Sequence, residues 1–180
     1  MRLAATVGIA ILLAGLAAPA LAQAPPAPQG VTQRVSDAMW DFQQQRYEAA
    51  FAAFSTLAAE ADNPNAETML GLSYQFGLGA PKDFAQAAQW YQRAAEQGEA
   101  EAQVRLGLLY FNGTGVTKNK IEAYRLLSLG IDRVSPQPKA FHDNAQKVLD
   151  DVSGSLTLEQ LNKANILARQ TRYRSSHPQS

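Results

Sequence analysis

Between Asn65 and Gly130 the chain spells one pattern twice. Ala66-Glu67-Thr68-Met69-Leu70-Gly71-Leu72-Ser73-Tyr74 returns 36 residues later as Ala102-Gln103-Val104-Arg105-Leu106-Gly107-Leu108-Leu109-Tyr110. The match continues through Gly77 and Gly79 onto Gly113 and Gly115, and through Ala87 onto Ala123. A fixed period of about 20–50 residues is the mark of a stacked repeat array, in which each unit buries its apolar face only against its neighbours. The spacing Ala-x3-Leu-Gly-x2-Tyr is helical, so the units are helix pairs and the expected fold is all-α, a short α-solenoid of antiparallel helix pairs.

The ends of the chain carry different information. Met1 to Ala22 joins Arg2 to an apolar run and closes on Ala20-Leu21-Ala22, the small-residue site of a secretory signal. Cleavage after Ala22 is expected, which places the protein in the periplasm or outside the cell. The competing reading is a retained anchor, but the run is shorter than the ~20 residues a bilayer crossing needs. With no Cys anywhere, a lipid anchor at the cleavage site and disulfide bracing are both excluded. Gln23 to Gly30 is a proline-rich spacer. Sixteen basic residues balance 16 acidic ones, without the basic face that a nucleic-acid partner would require.

From Val31 the periodicity is helical to the C-terminal region. Val35, Ala38, Met39 and Phe42 share a face of a first helix ending near Gln45, and Tyr47, Ala50, Phe51, Phe54, Leu57 and Ala58 form the stripe of a second. Two Gly/Pro-interrupted units follow, with helices over 65–76 and 83–97, then 99–112 and 118–132. Gly71 and Gly107 sit mid-helix, where Gly costs about 1 kcal/mol, and imply a close helix crossing. Gly98 and Gly130 are expected at helix C-caps. After Gly130 the period is lost. A break at Val134–Pro138 precedes a helix bearing Phe141, Ala145, Val148, Leu149 and Val152; Ser153-Gly154-Ser155 reads as a loop. Thr157-Leu158-Glu159-Gln160 is a capping box that opens a last helix with Leu158, Leu161, Ala164 and Ala168 on one face. The domain plan is a degenerate unit over 31–62, units over 63–98 and 99–132, capping helices over 136–172 and a disordered tail over 173–180.

These residues resemble the Sel-one-like repeat, a relative of the tetratricopeptide repeat. Residues 66–98 carry nearly the whole family pattern: Leu70, Gly71, Tyr74, Gly77, Gly79, Asp83, Ala87, Trp90, Tyr91, Arg93, Ala94, Ala95 and Gly98. Residues 102–130 carry its first half through Leu106, Gly107, Tyr110, Gly113, Gly115, Val116 and Asn119. They then depart, with Leu126-Leu127 for Trp-Tyr and Leu129-Gly130 for the basic residue and Ala. Residues 38–61 look like a degenerate leading unit of the tetratricopeptide kind.

No constellation in the sequence supplies catalysis. There are two His: His177 lies in the tail, and His142 beside Asp143 cannot form a relay, because adjacent helical residues point about 100° apart. No His pair has zinc spacing, and Asp150-Asp151 and Glu96, Glu99 and Glu101 lack a calcium loop. Gly77-Leu78-Gly79 and Gly113-Thr114-Gly115 follow helices and lack the Lys-Ser/Thr of a phosphate loop, so they are turns. No enzyme activity, cofactor or metal is expected.

By the resemblance, the function is that of an exported interaction module, an adaptor or scaffold holding a protein or peptide partner in the groove of its first helices. In analogy with tetratricopeptide arrays, Thr68, Leu72, Gln75, Leu108, Phe111 and Asn112 would face that groove, unless Leu72 and Leu108 pack between repeats instead. One alternative is an envelope enzyme of the β-lactam-binding type known in cysteine-rich relatives, although this chain has neither their Cys pairs nor a Ser-x-x-Lys motif. Another is a subunit of an envelope assembly, including a homo-oligomer joined through its capping helices.

Overall fold

A computed structural model describes residues 30–134 and 138–176, with side chains to 172. The signal sequence expected over 1–22 and the cut expected after Ala22, most of the spacer, positions 135–137 of the break and the end of the tail over 177–180, with His177, lie outside the described residues. The described residues form eight helices and no strand: α1 Val31–Gln43, α2 Tyr47–Ala61, α3 Pro64–Phe76, α4 Phe84–Glu96, α5 Ala100–Asn112, α6 Lys120–Gly130, α7 Lys139–Ser155 and α8 Leu158–Ser176. Consecutive helices pack on each other from α1 through α7, in the manner of an α-solenoid.

Polar side chains cap the starts of the repeat helices. Asn63 accepts from the Ala66 N–H at 3.0 Å, and one period on Glu99 accepts from Ala102 at 2.6 Å. Asp83 accepts from the N–H groups of Ala85 and Gln86, and Asn119 from those of Ile121 and Glu122. In both units the same capping residue closes the loop behind it: the Asp83 N–H donates to the Tyr74 carbonyl at 2.9 Å and the Asn119 N–H to the Tyr110 carbonyl at 3.0 Å.

Three apolar clusters run along the stack, each tying one unit to the next. Ala38, Ala50, Phe54 and Leu57 meet Ala66, Met69 and Leu70 of α3. Ala87, Tyr91 and Ala94 of α4 meet Ala102, Leu106 and Leu109 of α5. Val104, Ala123 and Leu127 meet Ala145, Val148 and Val152 of α7. Each fully buried large apolar side chain contributes about 1.5–3 kcal/mol, so the interfaces between units hold much of the stability.

The glycines set the distance between helices. A Cβ on Gly71 would lie 2.4 Å from the Tyr91 ring, and one on Gly107 would lie 2.9 Å from Leu127 Cγ. Tyr91 and Leu127 are one period apart, so the ring of the first unit and the leucine of the second fill the same place. The loops do the stacking. Gly79, with φ +76°, presses on the start of α2, where a Cβ would lie 2.2 Å from the Tyr47 carbonyl oxygen. Gly115, with φ +72°, repeats this on Phe84 of α4 at 2.2 Å. Only Gly combines that φ with that approach.

Aligned with α3 at their last residues, α1 carries Gln33, Ser36, Asp37 and Trp40 where α3 carries Ala66, Met69, Leu70 and Ser73. The first set is exposed and the second buried. The outward face of α1 is therefore polar apart from the exposed Trp40, on whose ring the Arg46 guanidinium stacks at 4.3 Å.

Several local expectations change. The first helix ends at Gln43, and Gln45 turns the chain with φ +60°. Gly98 has φ +86° just beyond α4, but Gly130 stays inside α6, where a Cβ would lie 2.6 Å from the Ala100 carbonyl oxygen; it serves packing rather than capping. Ser153-Gly154-Ser155 is the last turn of α7. The helix α8 runs to Ser176, into the stretch over 173–180 where a disordered tail is expected. Leu158 points outward, 76% exposed, rather than into the core. Both closing helices rest on α6, and α7 also touches α5.

Candidate functional site

The six residues expected in the groove divide into three groups. Thr68 is enclosed, 4% exposed; its hydroxyl donates to the Pro64 carbonyl at 2.8 Å and lies 3.4 Å from Glu99 Oε2. Leu72 and Leu108 are half-buried, Leu72 against the first cluster and Leu108 against the cluster completed by α7. Gln75 accepts a 2.7 Å hydrogen bond from the Tyr91 hydroxyl, which fixes its amide. Phe111 is half-buried on the third cluster, with Lys118 Nζ 5.4 Å above its ring. Asn112 is exposed. Gln75 and Phe111 are repeat equivalents, and Phe76 is the equivalent of Asn112. Phe76, at the end of α3, is 55% exposed. The C-terminal ends of α3 and α5 thus present Gln75, Phe76, Phe111 and Asn112 on successive rungs.

Phe76 is the last residue of its helix, one step beyond the periodic pattern, so the repeat spacing does not single it out. An aromatic immediately before the loop glycine, at a position where the next repeat has Asn112, was the available signal.

One buried carboxylate, near the start of α3, is held in an ionic contact. Glu67 is fully enclosed; Arg93 reaches its Oε1 at 2.9 Å and the Gln97 amide donates to its Oε2 at 2.8 Å. Burial raises its pKa above the usual carboxylate range, while Arg93 pulls the other way. Arg93 also stacks on Trp90 at 4.8 Å. Burial likewise raises the pKa of Glu99, against the stabilising Ala102 N–H. The Tyr91 phenol is pushed above its ordinary range by burial, so it stays a donor to Gln75. In the second unit Glu67 and Arg93 become Gln103 and Leu129: carboxylate and cation are lost together.

Among the described residues no group of three His, Asp or Glu could hold a metal ion, and no helix is long and apolar enough to cross a membrane. His142 is on α7 beside Asp143, whose carboxylate pairs with Lys139. The clefts are shallow. One of about 510 Å³ lies between α4 and α5, lined by Ala88, Leu106, Tyr110 and Val116. Another of about 360 Å³ lies between α6, α7 and α8. In the second, the Ser128 hydroxyl donates to the Arg125 carbonyl at 3.0 Å.

Residues 64–99 and 100–133 match the Sel1 repeat. No curated protein sequence matches the chain. Among solved structures, it is similar to a protective antigen present in uropathogenic Escherichia coli strains, which displays an SLR fold. The identity is 27% and the TM-score 0.66, over 79% of this chain and 30% of that one. It is also similar to a Sel1 repeat protein from Oxalobacter formigenes, at 27% identity and a TM-score of 0.55, over 77% of this chain and 54% of that one. The chain thus spans about a third to a half of the length of these relatives. Its centre is two stacked Sel1 repeats, over residues 64–99 and 100–133, flanked by helices that continue the same all-helical array.

Proposed function

We propose that the protein is an exported, non-enzymatic adaptor that binds a protein or peptide along the ends of its first helices. The observation that carries this reading is the exposed ring of Phe76, flanked one rung away by Phe111 and Asn112. Large apolar rings on an open helix row supply anchors, and the neighbouring amides of Gln75 and Asn112 supply backbone-directed hydrogen bonds. Thr68 is not part of this surface, and Leu72 and Leu108 form its floor. The lack of a catalytic constellation in the sequence supports a binding role, and the signal at residues 1–22 supports export. The epitope is small, because the array is short.

The test is a double substitution of Phe76 and Asn112 by Ala, followed by crosslinking capture from the cell envelope. The expected result is loss of the captured partner, by about tenfold or more, with the helical circular dichroism unchanged. Undiminished capture by the folded variant would remove the groove from consideration. Fractionation of cells producing the chain checks export: a periplasmic or secreted product starting at Gln23 is expected.

A further inference from the structure

The last helix, α8, leaves part of its apolar surface outside. Its buried side chains are the small Ala164 and Ala168, and it is held on α6 by polar contacts: Tyr124 Oη to Asn165 Oδ1 at 3.3 Å and Arg172 to the Ser128 carbonyl at 2.6 Å. Two of its large apolar side chains point away, Leu158 at 76% exposure and Ile166 at 55%, while Leu161 and Leu167 are half-buried. With Asn162 between them they form an exposed stripe at steps of four residues, roughly opposite the buried alanines. Glu159 and Lys163 run along one flank of that stripe. A helix that hides alanine and shows leucine and isoleucine has a face suited to being covered.

We propose that a second copy of the chain covers it, with α8 pairing antiparallel to its counterpart about a two-fold axis at Asn162. The charges select this occupant. In an antiparallel pair related by such an axis, each flank meets the same flank of the other copy. Glu159 then faces Lys163 of the second copy, and Lys163 faces its Glu159, so one oppositely charged pair four residues apart completes two intermolecular ion pairs. Leu158 packs on Ile166 of the second copy, twice. Asn162 meets itself on the axis, where one polar residue in an apolar seam fixes the register. A parallel pair would put the two charged flanks on opposite sides of the seam and form neither ion pair. One helix pair is a small interface, so the dimer is a weak one. This surface is on α8, not on the first-helix row, so its test is independent of partner capture there.

The chain has no cysteine, which makes the geometry directly testable. With the protein purified as the cell processes it, Asn162→Cys is expected to form a disulfide-linked dimer under mild oxidation. The exposed control Gln146→Cys on α7 is expected to stay monomeric. Light scattering at about 100 µM should show dimer for the unmodified chain, and Ile166→Glu should lower the association constant at least about tenfold with helicity intact. Lys163→Glu should weaken the dimer, and adding Glu159→Lys to it should restore association. A monomer at that concentration, no crosslink through Cys at 162, or a dimer indifferent to Ile166→Glu and to the charge reversals would each overturn the proposal.

Discussion

Glu67 shows how a single residue is tolerated, and what becomes of its equivalent when its partner drifts. Its carboxylate is enclosed and held by Arg93 and Gln97, while Asp62 nearby adds to the pressure toward protonation. The folded protein therefore keeps a proton on Glu67 to a higher pH than the unfolded chain, whose value is near 4.5. Stability then falls as pH rises from that value through the raised folded one, and the loss is complete above it. Urea midpoints measured from about pH 8 down to about pH 5 should rise on acidification. Glu67→Gln, which copies Gln103, should flatten that rise and leave the share due to Glu99, whose shift has the same sign. An unchanged pH slope in the Gln variant would contradict this account. The second unit dispenses with the problem by losing both charges, which explains why the replacement of Arg93 by Leu129 comes with that of Glu67 by Gln103.

Among the elements, the Gly-x-Gly loops carry the stacking. Gly115→Ala puts a Cβ against the Phe84 carbonyl at positive φ and should cost at least about 3 kcal/mol. Gly98→Ala has the same φ problem with nothing within 4 Å and should cost only about 1–2 kcal/mol. The difference between the two variants in denaturant melts isolates the docking from the backbone strain. These loops, the paired units and the Thr157–Gln160 capping box, formed by reciprocal bonds of 3.0 and 3.2 Å, were legible because each depends on local residue chemistry. The end of α7 was not. Ser153 and Ser155 turn their hydroxyls back onto the carbonyls of Asp150 and Val152 at 2.9 Å each, which satisfies the helix end and lets it run through a Ser-Gly-Ser stretch that reads as a loop. Of the candidate site, the row of first helices could be read from the repeat. The facing of individual residues could not, because Thr68 is closed over by the capping Glu99 of the next unit and Tyr91 reaches across to Gln75.

In the molecule as a whole, α7 occupies the place that the first helix of another unit would take, and its apolar side chains finish the third cluster. Val152→Asp, placing an unpaired charge at a fully buried position, should release α7 and cost at least about 3 kcal/mol. Because each unit rests chiefly on its neighbours, hydrogen exchange should speed up in α5, α6 and α7 while α1 to α3 stay protected. Uniform acceleration across all helices would mean the array unfolds as one block.

The polar outer face of α1 bears on growth. A column of repeats whose top and bottom both remained apolar would add copies end to end without limit and precipitate as fibres. Gln33, Ser36 and Asp37 close that route at one terminus and α7 closes it at the other. Enlargement is left to the flank, where a two-fold contact through α8 stops at two.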